Sequence, residues 1–96
     1  MRIGTVWTIQ EYKRLAKEIA AAPLQVREKY EFWKSVVRNS GPEGLRTIKG
    51  FHDEALAGNL RGYRSSRLNN AWRVLYQIDR DQVTVSVERV SNHDYS

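Results

Sequence analysis

The apolar positions of this chain change period twice, and the changes mark its elements. Residues 3–9, "IGTVWTI", are β-branched and aromatic and predict a first strand. In "QEYKRLAKEIAAA" the spacing lengthens. Tyr12, Leu15, Ala16 and Ile19 then share one face of a helix, with Thr8 or a neighbour as its cap. Pro23 restarts the chain in "PLQVREKYEFWKSVVRNSG", where Val26, Tyr30, Trp33 and Val37 form a second inward stripe and Gly41 stops the helix. The two helices should form a hairpin. "SGPEGLRTI" predicts a short third helix capped by Ser40.

Beyond Gly50 the period becomes 2. "GYRSSRLN" and "AWRVLYQID" predict strands joined through Asn69 and Asn70, and "QVTVSVERV" predicts another after a tight turn at Arg80 and Asp81. The expected architecture is α+β: one domain over residues 1–96, with an N-terminal strand and helical hairpin on one face of a twisted, mainly antiparallel four-stranded sheet. Alternation also assigns faces. Trp72, Val74, Tyr76 and Ile78 point to the core with Leu68, Val83, Val85 and Val87. Arg67 and Arg73 then project from the opposite, open face, which Thr84, Ser86 and Glu88 share. A ladder of ion pairs with Glu88 is the plain structural use of those arginines, and exposed pairs of that kind contribute only about 0–1 kcal/mol.

Composition sharpens this picture. The chain has 96 residues, a formal net charge of +5, no Cys and two His. The absence of Cys removes disulfides and thiolate chemistry. The acids do not cluster at metal-ligand spacing, so neither a metal nor a cofactor is expected. Nothing in the first eight residues resembles a signal peptide and no apolar run is long enough for a membrane span, so the expected location is cytoplasmic. Between positions 58 and 78 stand Arg61, Arg64, Arg67 and Arg73 with no acid. An arginine stripe of that kind points to a polyanion, since the guanidinium forks onto phosphate. "NHDYS" at positions 92–96 follows the last strand, so His93 and Tyr95 can return to the open face. "KGFHDEALAG" supplies Lys49, His52, Asp53 and Glu54 as the nearest carboxylate source. Imidazole, carboxylate and arginines together make an acid–base set for phosphoryl chemistry.

The run "GFHDEALAGNLRGYRSSRLNNAWRVLYQID", with "NHDY" near the end, resembles the RelE/ParE superfamily of type II toxin–antitoxin toxins. The resemblance covers nearly the whole chain and is most specific over residues 50–95. It implies a small basic toxin with a helix pair on an antiparallel sheet. Most members are ribosome-dependent endoribonucleases, or mRNA interferases, that cut mRNA and inhibit translation. A ParE branch instead poisons DNA gyrase. Each is neutralised by a partner antitoxin, here expected to be acidic and to mask the basic groove.

The YoeB-like pattern implies Glu54 as base, Arg67 and Arg73 as transition-state cations, and His93 and Tyr95 as the terminal pair. Here Asp94 separates His93 from Tyr95, so which of the three points inward stays open, as does a HigB-like use of all three. Metal-free attack by the 2′-OH, with His93 as acid, then gives 2′,3′-cyclic phosphate and 5′-OH ends. Tyr95 stacks on a base, and Lys49, His52, Arg61 and Arg64 bind flanking RNA. Lys49 can also serve as an electrostatic group, and His52 can instead satisfy a turn. The expected partners are the antitoxin, the 70S ribosome and mRNA. Two other readings stand beside this one: a gyrase inhibitor on the same fold, and a non-catalytic nucleic-acid-binding module.

Overall fold

The computed structural model describes residues 6–93. Five strands form one sheet in the order β1-β5-β4-β3-β2: β1 (Thr8–Glu11), β2 (Glu54–Ala55), β3 (Tyr63–Arg67), β4 (Arg73–Asp79) and β5 (Thr84–Ser91). β1 lies parallel to β5, and every other pairing is antiparallel. The helices are α1 (Leu15–Ala21), α2 (Leu24–Ser40) and α3 (Glu43–Arg46), with single 3-10 turns at Lys49–Phe51 and Gly58–Leu60. None of the described helices is long and apolar enough to cross a membrane.

The expected α+β class holds, but the sheet has five strands rather than four. The extra strand, β2, is two residues long and so too short to show a period. The first strand runs to Glu11, later than expected, and residues 3–5 of the expected strand lie outside the described residues. The Glu11 carboxylate accepts a hydrogen bond from the Tyr30 hydroxyl at 2.5 Å and one from Lys34 at 3.4 Å. It holds the chain extended at this point and delays the helix. α1 therefore starts at Leu15 after a turn closed by the Leu15 N–H on the Tyr12 carbonyl at 2.9 Å. Tyr12 stays exposed ahead of it, Ala16 is exposed on it, and no side chain caps it.

α2 buries Val26, Tyr30, Trp33 and Val37 in the expected stripe. They meet Val74, Tyr76, Val85, Val87 and Val90 from the sheet, with Leu45 and Phe51 at one end. Full burial of such side chains stabilises by about 1.5–3 kcal/mol each. Gly41 ends α2 at φ +75, and a Cβ there would come within 2.9 Å of the Trp7 ring nitrogen, so both backbone and space require glycine. Ser40 is the last residue of α2, and Pro42 stands at the start of α3 in the place expected for it.

The register also departs from strict alternation at one point. Leu75 pairs with Arg89 and Tyr76 with Val87, which leaves Glu88 as an extra, bulged residue. The bulge takes Glu88 out of the expected ladder, and its carboxylate lies 3.6 Å from Arg14. Beyond the bulge the edge of β5 is no longer covered by β1. Glu18 of α1 caps it, accepting the Val90 N–H at 2.8 Å and pairing with Arg89.

The β4–β5 turn is longer than expected. Asp79 accepts the Gln82 N–H at 3.0 Å, and Val83, expected as a strand residue, sits in the turn at φ +49. A β-branched residue in that region is strained by about 1–2 kcal/mol. Val83→Asn, which tolerates the conformation, is expected to stabilise the fold by about 1 kcal/mol in urea unfolding. A variant less stable than the parent would show that burial of the valine outweighs the strain.

Candidate active site

The strand register decides which charged side chains meet. Arg67 at the end of β3 stands directly opposite Arg73 at the start of β4, and Arg73 in turn stands opposite Ser91 at the end of β5. Opposed residues share a face. The backbone turn between the two arginines is built by Asn69, whose side-chain oxygen accepts the Ala71 and Trp72 N–H groups at 2.8 Å each. Arg73 also reaches this turn, donating to the Asn70 carbonyl at 3.3 Å. Arg67 is exposed and Arg73 half-buried.

Glu54 joins the same face from the edge strand. It pairs with Ser65, two residues before Arg67 along β3, and is exposed. Diagonal neighbours of this kind lie about 7–8 Å apart at their backbones, within reach of long side chains. His93 follows two residues after Ser91, at the end of the sheet that carries the arginine pair. It is exposed, and its N–H donates to the Ser91 hydroxyl at 3.4 Å. Register thus places Glu54, Arg67 and Arg73 on one face, with His93 at the margin of that face. Tyr95 and Asp94 lie outside the described residues.

The remaining candidates separate. Lys49 is exposed on the 3-10 turn before β2, and Arg61 is exposed in the turn before β3. His52 is exposed at φ 44, and its N–H donates to the Lys49 carbonyl at 3.0 Å, so its backbone makes the turn into β2. Arg64 corrects the expectation of a flanking phosphate ligand. It opposes Tyr76 on the core face, its side chain is 17% exposed, and its guanidinium is held by Asp53.

Asp53, offered beside Glu54 as a carboxylate source for the open face, instead turns inward, a role that sequence reasoning missed. Its side chain is 0% exposed. One carboxylate oxygen accepts from Arg64 Nε at 2.8 Å and Nη2 at 2.7 Å, and the other accepts from Ser66 Oγ at 2.6 Å and from the Tyr76 hydroxyl. Ser66 Oγ accepts in turn from the Trp33 indole N–H at 2.9 Å. A signal for this was present in the alternation. If Leu68 faces the core, Ser66 and Arg64 have the same parity, and an arginine turned inward demands a nearby acid.

The network shifts its members' acidities. Burial, then the charge and hydrogen bond of Asp53, push the Tyr76 phenol far above its ordinary value. Burial acts to lower the Arg64 guanidinium, but the hydrogen bond and charge of Asp53 outweigh it and the net shift is upward. Tyr30 is raised by burial first and then by Glu11.

A shallow concavity of about 450 Å³ also opens on the sheet face, lined by Gln77, Asp79, Arg80, Asp81 and Ser86. It lies four residues along β4 from Arg73, about 13 Å away. Its two aspartates make it a poor seat for phosphate. The arginine pair has the chemistry for a polyanion that runs across a surface.

No protein-family model matches the chain, and no curated protein is a significant match to its sequence. Solved structures do match. RelE of Pyrococcus horikoshii, from its complex with RelB, superposes at a TM-score of 0.72, with 15% identity over 96% of this chain and 100% of that one. YafQ of E. coli, from the DinJ–YafQ toxin–antitoxin complex, gives 0.71, with 20% identity over 93% and 94%. A third match, from the YoeB–YefM complex of Staphylococcus aureus, gives 0.69, with 17% identity over 94% and 100%. The chain has the RelE fold. Within that fold, the arginine pair and Glu54 occupy the sheet face opposite the one that packs against α2.

Two predictions follow the buried network. Asp53→Ala leaves the Arg64 guanidinium without its partner and is expected to cost about 3–5 kcal/mol, whereas Glu54→Ala, on the exposed edge, should stay within about 0.5 kcal/mol of the parent. Urea unfolding compares them, and equal losses would contradict the assignment of faces. Alkaline titration tests the phenols. Tyr30 and Tyr76 hold their protons more tightly folded than unfolded, where a phenol titrates near about 10. Their contribution to stability is therefore full below that pH and is lost as pH rises beyond it. Tyrosinate absorbance should show a late step that coincides with loss of far-ultraviolet circular dichroism. Tyr30→Phe and Tyr76→Phe should each remove one residue's share of that step.

Proposed function

We propose that this chain is a type II toxin of the RelE/ParE superfamily: a ribosome-dependent endoribonuclease that cleaves mRNA without a metal and so inhibits translation. The observation that carries the reading is the directly opposed pair Arg67 and Arg73, on the same sheet face as Glu54. The RelE fold supports it, because the solved relatives bear the names of toxin–antitoxin complexes.

In this reaction Glu54 takes the proton of the substrate 2′-OH. The freed oxygen attacks the adjacent phosphorus in line, forming the O2′–P bond. Arg67 and Arg73 stabilise the added negative charge of the pentacoordinate state. The P–O5′ bond breaks as His93 donates a proton to the leaving oxygen. The ends are a 2′,3′-cyclic phosphate and a 5′-OH, and proton count balances through Glu54 and His93. Tyr95 stacks on a base or orients the phosphate. Lys49, His52 and Arg61, all exposed, bind flanking RNA in this reading. The bound carboxylate of Asp53 leaves Arg64 out of that set.

The working partners are then the 70S ribosome and mRNA in the cytoplasm, together with an antitoxin. RelB, DinJ and YefM accompany the solved relatives in their complexes, which supports such a partner here. An acidic segment that folds on binding suits a face carrying two arginines.

Primer extension on a message in a translating extract is the test. The parent protein should cut within the message, and Glu54→Gln or Arg73→Ala should lower the cleavage rate by about 10²-fold or more. Undiminished cutting by both variants would remove the chemistry proposed for this face. Trapped gyrase–DNA cleavage complexes with no cut message would instead establish the gyrase-directed reading.

A further inference from the structure

We propose that Asp53 is a positioning residue for the reaction: its buried carboxylate sets the register of β2 and so holds Glu54 over the arginine pair. The inference rests on the reading of Glu54 as the base and extends it to a group that never meets substrate.

β2 has little else to fix it. It is an edge strand of two residues, joined to β3 through Glu54 opposite Ser65 and Ala55 opposite Arg64, with the Leu56 N–H on the Tyr63 carbonyl at 2.9 Å. Short edge strands slip, and a slip by one residue turns every side chain to the other face. A slipped β2 would carry Glu54 toward the core and away from Arg67. The segment before β2 has two anchors. Phe51 is fully buried, but the turn at His52, φ 44, separates it from the strand. Asp53 is next to Glu54 and points the opposite way. Its carboxylate binds partners on two other strands, Arg64 and Ser66 on β3 and Tyr76 on β4.

These contacts constrain both ends of the site at once. Arg64, with two nitrogens on one Asp53 oxygen, lies three residues before Arg67 on the same strand. The clamp that orients Glu54 thus also ties β2 to the strand that presents one of the two cations. A misplacement of about 1 Å in such a site can cost about 10²-fold in rate.

The test compares Asp53→Asn, Tyr76→Phe, Glu54→Gln and the double variant Asp53→Asn with Glu54→Gln, under single-turnover cleavage of a ribosome-bound message. Leu56 amide exchange is measured on the free proteins. Asp53→Asn should lower the maximal rate by about 10- to 100-fold without shifting the protein concentration that gives half-maximal rate. It should also speed exchange at Leu56 while far-ultraviolet circular dichroism is kept. In the Glu54→Gln background the same change should have no further effect, because Asp53 acts through Glu54.

Tyr76→Phe removes one donor, leaves the ion pair, and should give a smaller fall in rate with the same faster exchange. It decides the matter if Asp53→Asn does not fold. Parent-like protection at Leu56 in the folded variants would overturn the proposal. So would a rate loss that multiplies with that of Glu54→Gln, which would leave the ribonuclease reading standing. Full activity of Glu54→Gln would overturn the reading of Glu54 itself, and this inference with it.

Discussion

One buried carboxylate organises the half of this protein that carries its candidate chemistry. Asp53 comes from a turn outside the central strands, yet its side chain is fully covered and its two oxygens take every donor that β3 and β4 point at it. Burying a charge is costly unless it is paired and hydrogen-bonded, and here both conditions are met. No buried side-chain polar atom among the described residues lacks a partner. The arrangement reaches α2 as well, because Trp33 donates to the same Ser66 hydroxyl that donates to Asp53. Two strands, the turn that leads into β2 and the longest helix therefore share one polar cluster inside an otherwise apolar core. A well-packed apolar replacement could be as stable. What apolar contacts do not supply is direction: they tolerate sliding, whereas a carboxylate with one oxygen on two guanidinium N–H groups and the other on two hydroxyls is satisfied by specific partners.

That cluster also divides the basic stripe. The four arginines of the acid-free window are not one surface. Arg64 turns inward to Asp53, Arg61 sits in the turn before β3, and only Arg67 and Arg73 stand together on the outer face. Counting charges along the chain overstates the cationic face and hides its geometry. Neighbouring charges divide in the same way, since Arg89 is taken up by Glu18 and Glu88 by Arg14 at the β5 edge.

How far the chain could be read from its residues follows from the length of each element. α2 displays four inward residues at helical spacing, and β4 is long enough for parity to assign its faces even though Leu75 is buried between Val74 and Tyr76, so both were legible. β2 offers two residues and no period. The start of α1 was hidden because Glu11 is held extended by Tyr30 and Lys34, contacts about 20 positions away. The bulge at Glu88 breaks an alternation that looks unbroken in "QVTVSVERV". Within the candidate site, the outward pair followed from parity alone. Arg64 followed from the same parity, but its charge invited a surface role that its position excludes. Asp53 stood beside a more conspicuous glutamate, and the tertiary partners on β3 and β4 show which of the two adjacent acids faces in.

The relation between Asp53 and Glu54 bears on why so small a scaffold can hold a reactive face. Two consecutive acids in an extended segment must point to opposite sides. Fixing one from within aims the other outward without any direct contact to it. Glu54, the other of the two, is exposed at the edge of the sheet. On the neighbouring strands Arg67 stands directly opposite Arg73, and like charges so opposed repel each other by a fraction of a kcal/mol before their other contacts are counted. An anion placed between them reverses that sign, and a pentacoordinate phosphate, with more negative charge than its ground state, reverses it further. Under the ribonuclease reading proposed for this face, the pair would favour the more highly charged state of an RNA linkage over the resting one.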